Sequence, residues 1–314
     1  MIPALVLTAG LATRLRPLSF VRAKAAMPVA GEPLVRRILR QLGRSGVTDA
    51  VLNLHHLPHT ITDIVGDGSD LAVQVRYSWE VPILGSAGGP RQALPLLDAP
   101  TFLIANGDTL SNVDLTALVD SHRRSRALVT LAVVPNREPA KYGGVVMNPD
   151  GAVTGFTRRG STAPSHHFVG VQVADAEAFA SVPPRTASES VGKVYPGLIS
   201  ARPGSVRAYV SDAEFLDIGT PDDYLRTSLL LAGREPGAAL HGTGTRIDPS
   251  SRVDDSVLWD DVEVEADVRL RRCVVADGVR VPAATSWEGV TLRRAEGELA
   301  PGEQRIGELA MASL

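Results

Sequence analysis

The 314-residue sequence has a single cysteine, Cys273, so it can form neither an intramolecular disulfide nor a cysteine-based zinc cluster. No apolar run is long enough to span a bilayer, and the N-terminus lacks a basic segment followed by an apolar core. These features favour a cytoplasmic protein with no membrane association. The net charge is only −3, so a broad nucleic-acid-binding surface is not expected.

Two standard phosphate-binding motifs are also missing. Neither G-x-G-x-x-G nor G-x-x-x-x-G-K-[ST] occurs at the N-terminus, which argues against a dinucleotide dehydrogenase and a P-loop NTPase. What is present is an apolar run at residues 4–7, which suits a strand buried on both faces, followed by the small-residue turn Thr8-Ala9-Gly10. The backbone N–H groups of such a turn can approach phosphate oxygens without interference from side chains.

Three basic residues, Arg14, Arg16 and Lys24, follow this turn. Two or three cations are enough to neutralise much of a triphosphate. The spacing alone leaves two interpretations open. One is a nucleotide-phosphate site at the C-terminal edge of an α/β sheet, where such folds bind their ligands. The other is a surface turn with scattered basic residues.

The stretch resembles the signature of the sugar-1-phosphate nucleotidyltransferases, L-x-x-G-x-G-T-R-L-x-P-L-T, then P-K, then P-V-x-x-x-P. Here the three parts read L-T-A-G-L-A-T-R-L-R-P-L-S, A-K and P-V-A-G-E-P. Ala12 replaces the second loop glycine, and Ala23 replaces the proline before Lys24. An alanine fits the loop if its φ angle is negative. Neither change removes a charge, because Arg14 and Lys24 are retained.

A second match begins at Glu80 and includes the sequence L-G-S-A-G-G. Its glycines would let a flat base approach the backbone, and we expect a helix to start after them. A strand-to-helix loop without a ligand would show the same pattern. The family has E-x-x-x-L-G-T-A-G-x-L at the loop that receives base and ribose. The form seen here resembles most the mannose- and heptose-1-phosphate guanylyltransferases.

Two aspartates follow predicted strands. Asp108 comes after the apolar run 101–105, and Asp217 lies in F-L-D-I-G-T-P-D-D-Y, which resembles the family's W-x-D-I-G-T-P-E-D-Y. A carboxylate at a strand end beside a phosphate loop is a ligand that Mg²⁺ prefers. From the residues alone, a single aspartate after a strand, such as Asp108, is more often a turn former or a helix cap, and Asp217 could belong to a plain strand–loop–helix junction capped by Thr220. The resemblance implies that both hold Mg²⁺.

The sugar-phosphate half is predicted from weaker patterns. Residues 142–146 and 153–156 form a β-ribbon around the turn 148–151. The resemblance implies that Gly144 and Gly170 face the sugar and that Glu189 accepts bonds from its hydroxyls. Arg159 takes the place of the family's lysine on the sugar phosphate, which arginine can bind bidentately.

A cluster of three histidines, His55, His56 and His59, could in principle bind a metal ion. We identify no acidic partner for this cluster, and the family has no zinc site. We therefore prefer a loop followed by a helix start.

The fold class predicted is α/β, with a Rossmann-like nucleotidyltransferase domain built on a mixed, mostly parallel sheet, over residues 1–232. A Gly/Ala/Pro-rich linker leads to residues 245–294, where valines recur every five or six residues, as in a short left-handed β-helix. A module of two or three coils must pack against the first domain or against another subunit. A homo-oligomer is expected. Residues 295–314 are predicted to be a polar tail with one short helix.

The resemblance implies that a sugar 1-phosphate attacks the α-phosphorus of an NTP, giving an NDP-sugar and pyrophosphate. GTP and mannose 1-phosphate, or a related heptose phosphate, are the preferred substrates; UTP or dTTP with glucose 1-phosphate is the alternative. A non-catalytic subunit that senses an NDP-sugar is the rival from another class. The resemblance assigns catalysis to Arg14 and Lys24, and nucleotide binding to Leu7, Ala9, Gly10, Thr13, Glu80, Gly85, Ser86, Gly88, Asn106 and Gly107.

Overall fold

The computed structural model describes residues 1–314, and the chain divides into two compact units. The first unit comprises residues 1–10, 36–58 and 65–216, and the second comprises residues 11–35, 59–64 and 217–314. No helix combines the length and the apolar character that crossing a membrane requires.

Helices and strands both occur up to residue 234, and only strands follow. The helices are α1 Leu34–Arg44, α2 Pro58–Val65, α3 Gly85–Leu97, α4 Leu115–Ser125, α5 Tyr195–Ala201 and α6 Pro221–Arg234. The strands up to residue 217 are β1 Ala4–Leu7, β2 Pro28–Val29, β3 Glu32–Pro33, β4 Asp49–Leu54, β5 Gln74–Trp79, β6 Thr101–Asn106, β7 Thr109–Ser111, β8 Val129–Pro135, β9 Gly144–Met147, β10 Val153–Thr157, β11 His166–Asp175, β12 Val206–Val210 and β13 Phe215–Asp217. The remaining strands are β14 Arg246–Ile247, β15 Arg252–Asp254, β16 Val257–Leu258, β17 Glu263–Val264, β18 Arg269–Arg271, β19 Val274–Val275, β20 Arg280–Val281, β21 Ser286–Glu288, β22 Val290–Arg294, β23 Gln304–Ile306 and β24 Leu309–Ser313.

The first unit is built on a nine-stranded mixed sheet. Strands β5, β4, β1 and β6 are adjacent and parallel, whereas β11 runs antiparallel to β6 and to β8. The residues of β1 and β6 that lie in the middle of the sheet, such as Leu5 and Ile104, are fully buried, as expected for strands covered on both faces. The parallel strands therefore end at one edge, and each delivers a loop there.

The second unit contains a parallel β-helix whose strands form three ladders. Arg246, Glu263 and Arg280 are aligned in one ladder, so one coil takes 17 residues. Inward-facing valines and leucines, together with Cys273, are buried between the ladders. The predicted fold class, a nucleotidyltransferase domain followed by a short left-handed β-helix, is confirmed.

The prediction for the last twenty residues was wrong in one respect. No helix forms between residues 295 and 314; instead β24 pairs antiparallel with both β22 and β23 and extends one ladder of the β-helix. Leu309 and Ala310 are buried there. The strands were not predicted because the only apolar run of this segment, around Leu309, is about as long as one helical turn. A run of this length does not distinguish a strand from a helix.

Candidate active site

The end of β1 and the end of β6 approach each other very closely. The backbone N–H of Gly107 donates to the carbonyl oxygen of Leu7 at 2.9 Å. A Cβ atom at position 107 would lie 2.6 Å from that oxygen and 2.8 Å from Cγ2 of Thr8. Only glycine fits here, and Asp108 follows it directly. The predicted Asn106-Gly107-Asp108 element therefore lies beside the turn that follows β1.

Two buried polar side chains connect the turn after β1 with the loop that precedes α3. Asn53 accepts from the backbone N–H of Thr8 at 2.7 Å through Oδ1 and donates through Nδ2 to Oε1 of Glu80 at 2.7 Å. The other oxygen of Glu80 accepts from the backbone N–H of Leu84, also at 2.7 Å. Asn53 is only 3% exposed and Glu80 only 1%. This fully paired chain fixes both loops.

Glu80 was predicted to bind the nucleotide, and the structure shows what its side chain does within the protein. Both carboxylate oxygens bond to groups of the chain itself. A Cβ atom at Gly89 would lie 2.6 Å from Oε1 of Glu80 and 2.8 Å from Nδ2 of Asn53. The last glycine of L-G-S-A-G-G thus makes room for this buried pair.

Helix α3 begins at Gly85 itself, so the expectation of a helix starting after the glycines was wrong. Its first turn packs against the segment around Glu189. Ser86 donates through Oγ to Oε2 of Glu189 at 2.8 Å, and the carbonyl oxygen of Ser188 accepts from the N–H groups of Ala87 and Gly88. A Cβ atom at Gly88 would overlap the backbone of this segment. Residues predicted for the nucleotide and for the sugar phosphate are therefore in direct contact.

Two of the residues predicted for the sugar phosphate, Gly144 and Gly170, lie on β9 and β11. Gly170 has φ 82° at the register shift in β11, and a Cβ atom there would lie 3.1 Å from Cβ of Asn106. Gly144 is buried, and a Cβ atom on it would overlap the side chains of Ser165 and Thr157. Packing therefore requires a glycine at position 144. Arg159, which follows β10, is exposed.

A cavity of about 870 Å³ opens at the ends of β8 and β12. Tyr142, His167 and Phe215 form an aromatic cluster in its wall, with ring centroids 4.2 to 5.5 Å apart. Nδ1 of His167 has no hydrogen-bond partner, and burial lowers the pKa of His167 to about 4, against weaker opposing effects of Gly143 and Glu138. No sequence pattern indicated this cavity.

In the second unit, one guanidinium and two carboxylates surround Gly219. A Cβ atom on this glycine would lie 3.1 Å from Oδ2 of Asp217, 3.3 Å from Nη1 of Arg14 and 3.3 Å from Oδ2 of Asp223. Two of these side chains were predicted as site residues, whereas Asp223 was not. Thr220 caps α6 by accepting from the N–H of Asp223 at 3.1 Å, as its position before Pro221 predicts.

Arg14 lies in a short 3-10 turn, Thr13–Leu15, that starts after Ala12. Ala12 has φ 48°, so the negative φ angle that an alanine would need to fit this loop without strain is not present. Its carbonyl oxygen accepts from the N–H of Leu15 at 2.9 Å and from Oγ of Ser19 at 3.0 Å. These bonds hold the left-handed conformation that glycine adopts without strain.

Lys24 lies in another 3-10 turn, Lys24–Ala26, and is half-buried. Its neighbours Ala23, Ala25 and Ala26 are almost completely buried. The backbone N–H of Ala23 donates to Oγ1 of Thr60 at 3.1 Å. A proline at position 23, as in the family signature, would lack this donor. With alanine at this position, the loop gains a hydrogen bond and loses the backbone restriction that a proline ring would impose.

A family model described as nucleotidyl transferase matches residues 3–233, which is most of the chain. The chain belongs to the nucleotidyl transferase family. A second model, described as GlmU-like, C-terminal hexapeptide, matches residues 228–290. The resemblance to sugar-1-phosphate nucleotidyltransferases stated from the motifs is confirmed.

Curated relatives of this nucleotidyltransferase carry several substrate names. The mannose-1-phosphate guanylyltransferase of Mycobacterium tuberculosis is 31% identical over 293 residues, covering 90% of this chain and 82% of the relative. The UTP–glucose-1-phosphate uridylyltransferase of Synechocystis is 28% identical, covering 88% and 76%. The crystal structure of HddC from Yersinia pseudotuberculosis aligns with a TM-score of 0.66 and 22% identity, covering 74% of this chain and 100% of that one. This last likeness concerns the fold.

The sequence motifs of the nucleotidyltransferase identified residues in the loops at the strand ends. They did not identify the buried side chains that hold these loops in place through hydrogen bonds. Leu7 ends β1, Ala9 is buried, and a Cβ atom at Gly10 would have open space around it. Asn53 was missed, although a polar residue inside the apolar run A-V-L-N-L is a signal that could have identified it.

No group of three or more His, Cys, Asp or Glu side chains in the nucleotidyltransferase is arranged to hold a metal ion. The three histidines lie in a loop and at the start of α2, as preferred from the sequence, and Nδ1 of His55 lies 2.9 Å from the carbonyl oxygen of Glu80. Asp108 is half-buried at a strand end, and its carboxylate is of the type that Mg²⁺ prefers.

Proposed function

We propose that the chain transfers a guanylyl group from GTP to mannose 1-phosphate or a related heptose 1-phosphate, releasing pyrophosphate. The observation that carries this proposal is the buried chain Thr8–Asn53–Glu80–Leu84. It fixes the turn after β1 relative to the loop before α3. These are the two loops for which the sequence predicts phosphate and base binding.

The reaction brings two anions together, so its main requirement is charge neutralisation in a fixed geometry. Arg14 and Lys24 neutralise the α-phosphate and the leaving pyrophosphate. Asp108 and Asp217 would hold Mg²⁺, which supplies positive charge between the reacting groups when bound. The phosphate of the sugar substrate is already ionised near neutral pH, so no protein group has to remove a proton from it.

The preference for GTP rests on two supports. The motif L-G-S-A-G-G resembles the guanylyltransferases, and several relatives carry that name, including a D-glycero-α-D-manno-heptose 1-phosphate guanylyltransferase of Aneurinibacillus thermoaerophilus that is 28% identical. A uridylyl or thymidylyl transfer to glucose 1-phosphate is the alternative, since a uridylyltransferase is among the relatives. A sensor without catalysis is disfavoured because it need not retain both aspartates.

A panel of nucleoside triphosphates and sugar 1-phosphates, with pyrophosphate release as the readout, tests the proposal. We expect the largest kcat/KM for GTP with mannose 1-phosphate or a heptose 1-phosphate. Turnover with UTP or dTTP and glucose 1-phosphate alone would support the alternative. Tight NDP-sugar binding without turnover of any pair would support the sensor.

Two variants test the assignment of the site. Lys24→Ala and Asp108→Ala should each lower kcat by about two orders of magnitude or more, because each removes electrostatic stabilisation of the transition state. Lys193→Ala, at an exposed lysine in the first unit, is the matched control and should retain activity. Wild-type rates in either site variant would remove that residue from the proposed site.

We also propose that the chain acts in the cytoplasm, where nucleoside triphosphates are abundant, and that it forms a homo-oligomer. The short β-helix supports the second point, because few coils bury little apolar surface on their own. Light scattering of the purified chain tests it, and a monomer at micromolar concentration would contradict it.

A further inference from the structure

The loop that carries Lys24 is attached to the β-helix through Arg22. Nε and Nη2 of Arg22 each donate to one oxygen of Asp277 at 2.7 Å, and Nη2 also donates to Oδ2 of Asp260 at 2.5 Å. The guanidinium carbon lies 5.4 Å from the centre of the Trp259 ring. The side chain of Arg22 is only 15% exposed. A bidentate, half-buried contact of this kind fixes orientation as well as position.

The two aspartates occupy equivalent positions in successive coils. The N–H of Thr243 donates to Oδ1 of Asp260 at 2.7 Å, and the N–H of Asp260 donates to Oδ1 of Asp277 at 3.1 Å, each across 17 residues, the length of one coil. Backbone N–H groups of the β-helix therefore hold both carboxylates independently of Arg22. Arg22 binds to a rigid pair of anions.

A second attachment lies on the other side of Lys24. The hydroxyl of Tyr224 donates to the carbonyl oxygen of Pro28, and the same hydroxyl accepts from Nε1 of Trp259 at 2.9 Å. Tyr224 and Trp259 are both completely buried. In the sequence, Lys24 thus lies between Arg22 and Pro28, and both are connected to Trp259 of the β-helix. Arg22 contacts Trp259 directly, and Pro28 is linked to it through Tyr224.

We propose that the β-helix takes part in the transfer reaction by fixing the loop that carries Lys24, and that Arg22 is the positioning residue through which it does so. This inference rests on the proposed role of Lys24. A lysine has a long flexible side chain, so its ammonium group can be aimed at a phosphate only if the backbone beneath it is held. A displacement of about 1 Å at such a charge is enough to cost roughly 10²-fold in rate.

The kinetic test uses the full chain. Arg22→Gln should lower kcat by about 10- to 100-fold while both KM values stay within about 3-fold, because Lys24 remains present but is no longer held in place. The double variant Arg22→Gln with Asp277→Asn removes the repulsion that the single variant leaves between the carboxylates, and it should show the same loss of kcat. Arg22→Lys, which cannot bond bidentately, should lose an intermediate amount.

The matched control is Arg272→Gln. Arg272 forms a 3.0 Å ion pair with Asp222 and so also joins α6 to a coil of the β-helix, but it does not contact the lysine loop. It should keep the wild-type kcat. A loss equal to that of Arg22→Gln would mean that any weakening of the β-helix attachment lowers the rate, and it would overturn the specific role of Arg22.

A second readout does not depend on activity. The chain has three lysines, Lys24, Lys141 and Lys193. Acylation by an amine-reactive ester, followed by peptide mass spectrometry, should show a several-fold faster modification of Lys24 in Arg22→Gln and in Asp277→Asn, with the other two lysines unchanged as internal standards. If Arg22→Gln does not fold, Asp277→Asn carries the test.

The outcomes separate this inference from the proposed function. Wild-type chain that turns over no substrate pair contradicts the proposed function, yet faster acylation of Lys24 in the variants would still establish the attachment of the loop. Active wild type with unchanged kcat and unchanged Lys24 acylation in Arg22→Gln and Asp277→Asn would overturn the inference alone.

Discussion

Ala12 has a backbone conformation that alanine adopts only at a cost. Its φ of 48° and ψ of 44° lie in the left-handed region, where an L-residue with a Cβ atom loses roughly 1 to 2 kcal/mol. The hydrogen bonds to Leu15 and Ser19 hold it there. The loop that carries Arg14 is thus strained at the position where the family signature has glycine.

Ala12→Gly should therefore relieve strain in this loop. We expect a net gain in the free energy of unfolding of about 0.5 to 1 kcal/mol, because the greater flexibility of glycine in the unfolded chain offsets part of the relief. The KM for the nucleotide should fall several-fold as the backbone approaches the phosphates more closely. Ala72→Gly, at another left-handed alanine with φ 55°, is the control: it should gain stability without changing KM. Equal KM effects in both variants would refute the explanation.

At the scale of a whole element, the C-terminal hairpin is organised by one buried ion pair. Arg293 and Glu303 form a bidentate pair at 2.8 and 2.6 Å, with side chains only 4% and 0% exposed. Arg293 also donates to the carbonyl oxygens of Glu296 and Glu298. A single guanidinium therefore holds the turn between β22 and β23.

Glu303→Gln should destabilise this hairpin strongly. It leaves the buried charge of Arg293 without its partner, which costs roughly 3 kcal/mol or more. Hydrogen exchange should show loss of protection in β23 and β24, and urea unfolding should show the loss of free energy. Glu296→Gln, in an exposed pair with Arg294, is the control and should change stability by less than about 1 kcal/mol. Similar protection in both variants would argue against the pair as the organising contact.

The elements that could be predicted are those that local sequence determines. Strand β1 and the cap at Thr220 follow from apolar runs and turn residues, and the β-helix follows from its valine period. Contacts between distant residues could not be predicted in this way. Asn53 and Glu80 are 27 residues apart, and Arg22 and Asp277 are 255 apart. No local preference indicates such partners, because either side chain alone would also be stable in water.

At the scale of the whole molecule, acid sensitivity follows from the half-buried side chain of His167. Burial lowers the pKa of His167 from 6.5 to about 4, so between these values the unfolded chain binds a proton that the native chain does not. The free energy of unfolding must then fall as the pH is lowered through this window. Because water reaches part of the ring, we expect a loss of about 1 to 2 kcal/mol.

Denaturant unfolding of the full chain at pH 7 and pH 4.5 measures this loss. His167→Phe, which keeps an aromatic ring but cannot be protonated, should lose less stability than wild type over the same interval. Tyr142→Phe keeps the histidine and should retain the full dependence. Asp67 and Asp70, whose pKa values are lowered by bonds from Ser69 and Arg36, lose their contributions only at lower pH. An unchanged pH profile in His167→Phe would assign the sensitivity to other groups.

The aligned aspartates restrict how this protein can change in length during evolution. Deleting one complete repeat of 17 residues between Thr243 and Asp277 would leave every ladder in register, and yet it would remove Asp260, one of the two carboxylates that Arg22 binds. Repeats added beyond Asp277 would leave that pairing intact. Homologues with longer or shorter β-helices are therefore expected to differ after this position and not before it.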